Sequence, residues 1–239
     1  MQDLLARAIQ AHGGVEHWRT FSRFRARSHV QGAIWAVKGK QGAFGELVMT
    51  GGTRTQRVTI APYPEPGLCI TWEPQRQTIQ QDNGVLVAEQ SRPRARFDFH
   101  TRQTPWDDFH AGYFTAEVLW NYLTVPFHLL REDIHTEEAE PWYEEGAAWP
   151  ALRVTYPETF ATPSKQQTLY FDESGLLRRT DFGFELLGPG PAVHYASLHR
   201  RFDGIVIPTR HRVYVRNPDG TRARESTSLA IDIEDAYLT

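Results

Sequence analysis

Apolar and polar residues alternate most regularly in the last third of the chain. Two alternating segments, residues 193–202 and 205–216, are joined by Asp203-Gly204, a dipeptide that supplies the positive φ angles of a two-residue hairpin turn. This turn pairs Phe202 with Ile205 and Ala196 with His211. The face predicted to look inward carries His194, Ala196, Leu198, Arg200, Phe202, Ile205, Ile207, Thr209, His211, Val213 and Val215.

The turn at residues 217–220 tests this assignment independently. Pro218 and Gly220 suit a three-residue loop closed by a left-handed glycine. Such a loop places Leu229, Ile231 and Ile233 beside Thr209, Ile207 and Ile205, whereas a slip of one residue would turn Ala230, Asp232 and Glu234 toward the apolar face. Both turns therefore predict the same inner face.

The remaining segments also read mainly as short strands. A hairpin is predicted at residues 166–172 and 176–184, with Leu169, Phe171, Leu177, Arg179 and Asp181 on one face. Further strands are predicted at residues 21–30, 33–37, 43–49, 53–61, 68–72, 77–81, 85–89, 133–138 and 152–156, and a loop is predicted around residues 141–146. A short helix at residues 3–11 precedes them and stops at Gly13-Gly14, followed by a helical turn at residues 15–19.

One long helix interrupts the strands, starting at Asp107 or Asp108, either of which can cap it, and ending near Leu123. Its apolar residues are Phe109, Tyr113, Phe114, Ala116, Val118, Leu119, Trp120, Tyr122 and Leu123, and its polar strip is His110, Glu117, Asn121 and Thr124. A helix this apolar must be buried over most of its circumference. We therefore predict a mainly β protein in which a curved antiparallel sheet, or half-open β-barrel, holds the helix in its concave face.

The predicted architecture has about twelve strands and forms one domain over residues 1–239, because no repeat and no composition break divides the chain. The formal net charge of −3 argues against nucleic acid as a partner. No apolar run is long enough for a transmembrane segment. The N-terminus lacks the pattern of a secretion signal, which predicts a cytoplasmic protein, or a periplasmic one if the N-terminus was trimmed.

The order of these elements resembles the LolA/LolB/LppX-like superfamily. The resemblance also rests on three stretches: residues 11–18, with Ala11-His12-Gly13-Gly14 and Trp18, residues 170–179, and residues 202–209. It implies a half-open barrel in which helices cover the sheet and lipid or acyl chains lie between them. It transfers no catalytic or ligand-contact residue to this chain.

We predict from this architecture a non-catalytic protein that binds a hydrophobic small molecule, lipid or acyl chain between sheet and helix, in a cavity of a few hundred Å³. The predicted ligand-binding residues are Trp35, Trp72, Phe109, Tyr113, Trp120, Phe127, His194 and His211. The last two are diagonal neighbours, about 5–8 Å apart at Cβ, and supply a polar end to the cavity. No catalytic residue, cofactor or resident metal is predicted, and the oligomeric state stays open.

Two alternatives belong to other functional classes. The first is a small-molecule enzyme that uses His194 and His211, with a metal if Glu225 or Asp181 supplies a third ligand. The sequence contains no phosphate-binding glycine loop, nucleophile elbow or HExxH motif to support it. The second is a protein-interaction module that uses an exposed sheet edge or the arginine-rich outer face at Arg210, Arg212 and Arg216.

Overall fold

The computed structural model describes residues 3–188, 190–224 and 227–239. Its helices are α1 (Leu4–Ala11), α2 (Val15–Arg19), α3 (Ala33–Val37) and α4 (Asp108–Thr124), with 3-10 turns at Pro93–Phe97 and Phe127–Leu130. Its strands are β1 (Arg23–Gln31), β2 (Glu46–Gly52), β3 (Val58–Ala61), β4 (Leu68–Glu73), β5 (Arg76–Gln81), β6 (Leu86–Ser91), β7 (His135–Glu144), β8 (Ala147–Thr155), β9 (Gln166–Phe171), β10 (Leu177–Gly183), β11 (Pro191–Phe202), β12 (Ile205–Val215) and β13 (Leu229–Leu238).

The thirteen strands form one curved antiparallel sheet that is not closed into a barrel. Their order is β6-β5-β4-β3-β2-β1-β13-β12-β11-β10-β9-β8-β7, so that β6 and β7 are the two edges. Consecutive strands pair with each other except β6 and β7, which the chain segment that contains α4 connects. In addition, the first strand, β1, pairs with the last, β13. The predicted mainly β fold is confirmed, with one strand more than the predicted twelve.

Helix α4 begins and ends where the sequence predicts. The Asp107 side chain accepts a hydrogen bond from the His110 backbone N–H, and the His110 side chain faces back toward Asp107, which completes a capping box. The helix ends before Pro126, whose ring cannot continue it. Even the predicted polar strip is buried, and Asn121 and Thr124 donate to backbone carbonyls of the preceding helical turn. The helix therefore lies inside the protein on every side.

Residues 33–37 form helix α3, and the strand predicted there is wrong. Gly32, at φ +142°, turns the chain out of β1, and an added Cβ would collide with the Ser228 carbonyl. Ile34 and Trp35 are both buried, and two consecutive buried side chains do not fit an alternating strand. The short helix carries both side chains into the core.

The loop predicted at residues 141–146 is also wrong, because β7 continues through Glu144 and only Glu145 and Gly146 form the turn. Pro141 is tolerated because β7 is an edge strand, where a missing N–H breaks no ladder on the open side.

The hairpin at Asp203-Gly204 is confirmed, with Phe202 opposite Ile205 and Ala196 opposite His211. Two residues leave the predicted inner face. Leu198 adopts a left-handed backbone (φ +53°) that turns its side chain to solvent, where it is 57% exposed, and Arg200 is also exposed. The local irregularity therefore interrupts the inner face near one end of β11 without changing the pairing on either side of it.

The register predicted for β13 is wrong by four residues, although its inner face is correct. Leu229 lies opposite Val213, and Ile231 lies opposite His211. The predicted turn does form, since Arg216 and Arg222 make a bridge, but the pairing of β12 with β13 is offset by four residues from that bridge. An even offset leaves every side chain on its predicted face.

Arg179 and Asp181 lie on the outer face, contrary to the prediction. Leu177 pairs with Phe171 as predicted, but the register shifts by one residue before Arg179, which pairs with Tyr170. A one-residue shift exchanges the two faces of a strand. The residues nevertheless form an ion pair, with Nε and Nη2 of Arg179 at 2.6 and 3.0 Å from the two Asp181 carboxylate oxygens.

A second apolar cluster on the outer face buries Arg179 completely. Its guanidinium carbon lies 4.2 Å from the centre of the Trp142 ring, and Nη1 donates to Glu144 at 3.0 Å. The same group of aromatic and small side chains contains Trp149, Ala151 and Tyr170, with Ala139, Trp142 and Tyr195 packed against it. This cluster ties the β7–β8 edge to the middle of the sheet.

Candidate functional site

The candidate site is the crevice between α4 and strands β9 to β13. Its walls are mainly apolar, and the apolar and aromatic residues are Phe114, Val118, Tyr122, Val125, Tyr156, Pro163, Leu169, Leu177, Phe182, Phe184, Val213 and Leu229. Asn121, His128, Gln167, Thr180 and His194 add polar groups to the lining. Its volume is about 40 Å³. The expected cavity of a few hundred Å³ is therefore wrong for this structure, because the large side chains of the helix pack into nearly all of the space.

A second cavity of about 160 Å³ adjoins this crevice, and we call it the mouth pocket. Its apolar wall is formed by Ile34, Val37, Leu187, Pro191 and Val215, and its polar groups include Lys38, Arg102 and Tyr214. Phe184 lines both cavities and packs edge to face on Phe182, with ring centres 5.0 Å apart. Phe184 is therefore a residue that the mouth pocket and the crevice share.

The predicted histidine pair is real. Nε2 of His194 lies 2.9 Å from Nδ1 of His211, and Nε2 of His211 lies 2.9 Å from the Pro208 carbonyl oxygen. Since a carbonyl only accepts, His211 donates from Nε2 and accepts at Nδ1, so that His194 donates to it. Burial lowers the pKa of His211 to about 3 and that of His194 well below its ordinary value. Both rings are therefore neutral near pH 7.

Tyr122 is the residue of this site that the sequence analysis missed as a contact. Its ring stacks on both imidazoles, with centres 4.3 Å from His194 and 4.3 Å from His211. The sequence placed Tyr122 only in the broad apolar stripe of the helix. Its partner surface could not be read from that stripe, because the rotation of α4 against the sheet depends on contacts far apart in the chain.

Among the residues that the structure describes, the two histidines have no third metal ligand of the kind that the enzyme alternative requires. Asp181 lies on the opposite face of the sheet, paired with Arg179. Glu225 lies outside the described residues. Among residues 3–188, 190–224 and 227–239, no group of three or more histidine, cysteine, aspartate or glutamate side chains is arranged to hold a metal ion.

The six predicted aromatic contacts lie in the core around the crevice and do not line either cavity. They pack mainly on one another and on neighbouring rings: Trp35 on Phe44, Trp72 on Tyr113, Trp120 on Phe160 and Phe127 on Trp18, with Phe109 half-buried at the core boundary. Trp120 also donates from its indole to the Gly52 carbonyl at 2.8 Å. Of the eight predicted residues, His194 lines the crevice and His211 lies next to it.

A buried carboxyl group stands on the polar strip of α4. Glu117 is 0% exposed and receives one hydrogen bond from Arg94, at 3.2 Å from Oε1, while its Oε2 has no partner among the described residues. Arg94 also donates to Glu185 at 2.6 Å, next to Phe184. Burial raises the pKa of Glu117 to about 7, and the charge of Arg94 only partly opposes that shift. His110, the other titratable group of the strip, instead caps the helix.

None of the helices described in the structure has the length and hydropathy of a membrane-crossing segment.

Comparisons with known proteins identify the fold. No protein-family model and no curated protein sequence matches the chain. Among solved structures, a LolA superfamily protein from Nitrosomonas europaea aligns with a TM-score of 0.53 at 10% identity, covering 100% of this chain and 93% of that one. A putative outer membrane lipoprotein-sorting protein domain from Vibrio parahaemolyticus aligns with a TM-score of 0.52 at 10% identity, over 98% and 92% of the two chains.

A DUF1329 family protein from Desulfovibrio piger aligns equally fully, with a TM-score of 0.51 at 12% identity over 98% of this chain and 91% of that one. Identities this low carry information on the fold alone. The sheet order, the central helix and these full-length alignments agree with the resemblance predicted from the sequence. The protein therefore has the fold of the LolA superfamily.

Proposed function

We propose that the protein binds the hydrocarbon part of a small apolar molecule or acyl chain between α4 and the sheet, without catalysis. The observation that carries the proposal is the pair of mainly apolar cavities, the mouth pocket and the crevice, that share Phe184 as a lining residue. Burial of hydrocarbon there would contribute about 25 cal/mol for each Å² removed from water, before the costs of association.

Binding requires the crevice to open. Sites for drug-sized ligands usually measure about 300–1,000 Å³, and the two cavities measure about 160 and 40 Å³. Phe184 is the side chain whose rotation would join them, and it is only partly buried. The ligand then selects an open state that is a minority in the free protein.

The structural neighbours support an acyl chain as the class of ligand. One neighbour is described as an outer membrane lipoprotein-sorting protein domain and another as a LolA superfamily protein. Such a role favours the periplasmic alternative over the predicted cytoplasmic location. The enzyme and interaction-module alternatives stay predictions.

Replacing Phe184 by alanine is expected to tighten binding of the uncharged probe N-phenyl-1-naphthylamine. If the open state makes up about 1–10% of the free protein, removing the shared ring raises the apparent affinity about tenfold or more. Replacing Val213 by phenylalanine, which extends a side chain into the crevice from β12, is expected to weaken the same binding. Probe fluorescence titrations measure both effects.

Tyr143→Ala is the matched control, because it removes an aromatic ring that is 73% exposed on the edge strand β7. It should leave probe affinity unchanged. Equal affinities in the Phe184 and Val213 variants and the unaltered protein would contradict binding in the crevice. Native mass spectrometry of freshly isolated protein would identify a co-purified ligand.

A further inference from the structure

We infer that the mouth pocket holds the anionic headgroup of an amphiphile, recognised by Lys38 and Arg102, while the hydrocarbon chain passes Phe184 into the crevice. This inference rests on the proposed function and adds to it a class of ligand: a long-chain carboxylate or phosphate ester. It begins with a lysine that the fold buries.

Lys38 ends helix α3 and is only 1% exposed. Its Nζ donates to the carbonyl oxygens of Thr101 and Thr104, at 2.8 and 3.3 Å, and lies 5.0 Å from the centre of the Trp106 ring. These partners are neutral or only weakly attract a cation. An ammonium group has three donors, and two of them are used here. Among residues 3–188, 190–224 and 227–239, one N–H of this buried cation therefore has no acceptor.

The neighbouring charge has the same sign. Arg102 also lines the mouth pocket, and its charge adds to burial in lowering the pKa of Lys38 to about 8. Within residues 3–188, 190–224 and 227–239, neither side chain forms an ion pair. By contrast Lys40, two positions along, pairs with Asp108 at 2.6 Å. Two cationic residues thus line the mouth pocket, and burying a cation is costly unless an anion accompanies it.

The rest of the pocket fits the part of an amphiphile that adjoins its headgroup. Ile34, Val37, Leu187 and Val215 form the apolar wall, and Phe184 leads on to the crevice. Arg102 is exposed at the surface, so it can meet a headgroup at the entrance while the chain enters first. A carboxylate and a phosphate monoester share this chemistry, and arginine binds both through paired hydrogen bonds.

The test compares three ligands with the same sixteen-carbon chain: hexadecanoate, hexadecyl phosphate and hexadecanol. Each displaces N-phenyl-1-naphthylamine from the intact protein below its own aggregation concentration. We expect at least one anion to bind about tenfold more tightly than the alcohol, which is the usual contribution of a hydrogen bond to a charged group. The tighter anion identifies the headgroup.

Arg102→Gln is expected to abolish most of that preference while leaving hexadecanol binding unchanged. Lys38→Met should have the same effect. Because Lys38 also donates hydrogen bonds to Thr101 and Thr104, its loss could alter the fold, whereas Arg102 is exposed and its replacement tests the headgroup contact without that effect. Arg153→Gln is the matched control, since Arg153 is an exposed arginine on β8 paired with Glu137. It should retain the full preference for the anion.

Equal binding of all three ligands, unaltered in both variants, would overturn the headgroup inference and leave the proposed function standing. No displacement by any of the three would contradict the proposed function itself, and the headgroup inference with it.

Discussion

Arg179→Met is expected to lower the free energy of unfolding by about 3–5 kcal/mol, the usual result of removing one partner from a buried ion pair. The guanidinium holds both oxygens of Asp181 and one of Glu144, and it lies against the Trp142 ring. Its removal takes the close cation from both carboxylates on the outer face and leaves Asp181 with only the more distant Arg216, at 3.7 Å. Urea unfolding at pH 7 measures the change.

Arg76→Met provides the matched control for this experiment. Arg76 is exposed on β5, near the opposite edge of the sheet, and pairs with the exposed Glu89 at 2.7 Å. Exposed pairs of this kind contribute little to the free energy of unfolding. If the two substitutions cost the same, the outer cluster does not hold the β7–β8 edge as we describe.

Glu117→Gln is expected to make the protein more stable than the unaltered chain at pH 8 but not at pH 4.5. The folded pKa, about 7, lies above the ordinary value of 4.5, so the folded state binds more protons than the unfolded state between these values. Stability attributed to Glu117 is therefore fully present below pH 4.5 and is lost as the pH rises to 7. A pKa shift of this size changes the free energy of unfolding by about 3 kcal/mol between the low and high ends of this pH range.

The free energies of unfolding of Glu117→Gln and of the unaltered protein are measured at a series of pH values. Their difference reports the contribution of Glu117, because the other titratable groups are present in both proteins. The groups that face Glu117 are Arg94, Tyr113, Lys165 and Glu185, and all remain in the variant. Glu132→Gln, which removes an exposed carboxyl group on the connection before β7, is the matched control for the loss of one carboxyl group. A constant difference between the Glu117 variant and the unaltered protein across this range would contradict a raised pKa.

The hairpin at Asp203-Gly204 shows why much of the sheet could be predicted. The turn type depends on two adjacent residues, and the pairing that it sets propagates along both strands, as His194 and His211 confirm at 2.9 Å. The long helix was predictable for a similar reason, since its cap and its apolar stripe are local features. Neither required knowledge of distant residues.

The candidate site was less predictable than the sheet. The aromatic residues of α4 were predicted to line a cavity, but Trp120 and Tyr113 pack into the core, and Tyr122 is the ring that meets the histidines. An apolar helix has many large side chains, and its rotation decides which of them border a void. Phe184, Lys38 and Arg102 lie far apart in the chain, and no local pattern indicates that they meet.

Alternating polarity and turn residues were sufficient to establish the antiparallel sheet, its inner face over most strands and the buried helix, because each depends on neighbours within a few positions. Only the folded chain decided the one-residue shift that carries Arg179 outward, the four-residue change in the register of β13 and the small volume of the crevice. The position of a register shift depends on packing between distant parts of the chain and has only a small local signature in the sequence. The volume of the crevice is the small space left between two large, closely packed surfaces, so it depends on the exact position of every side chain on the helix and the sheet.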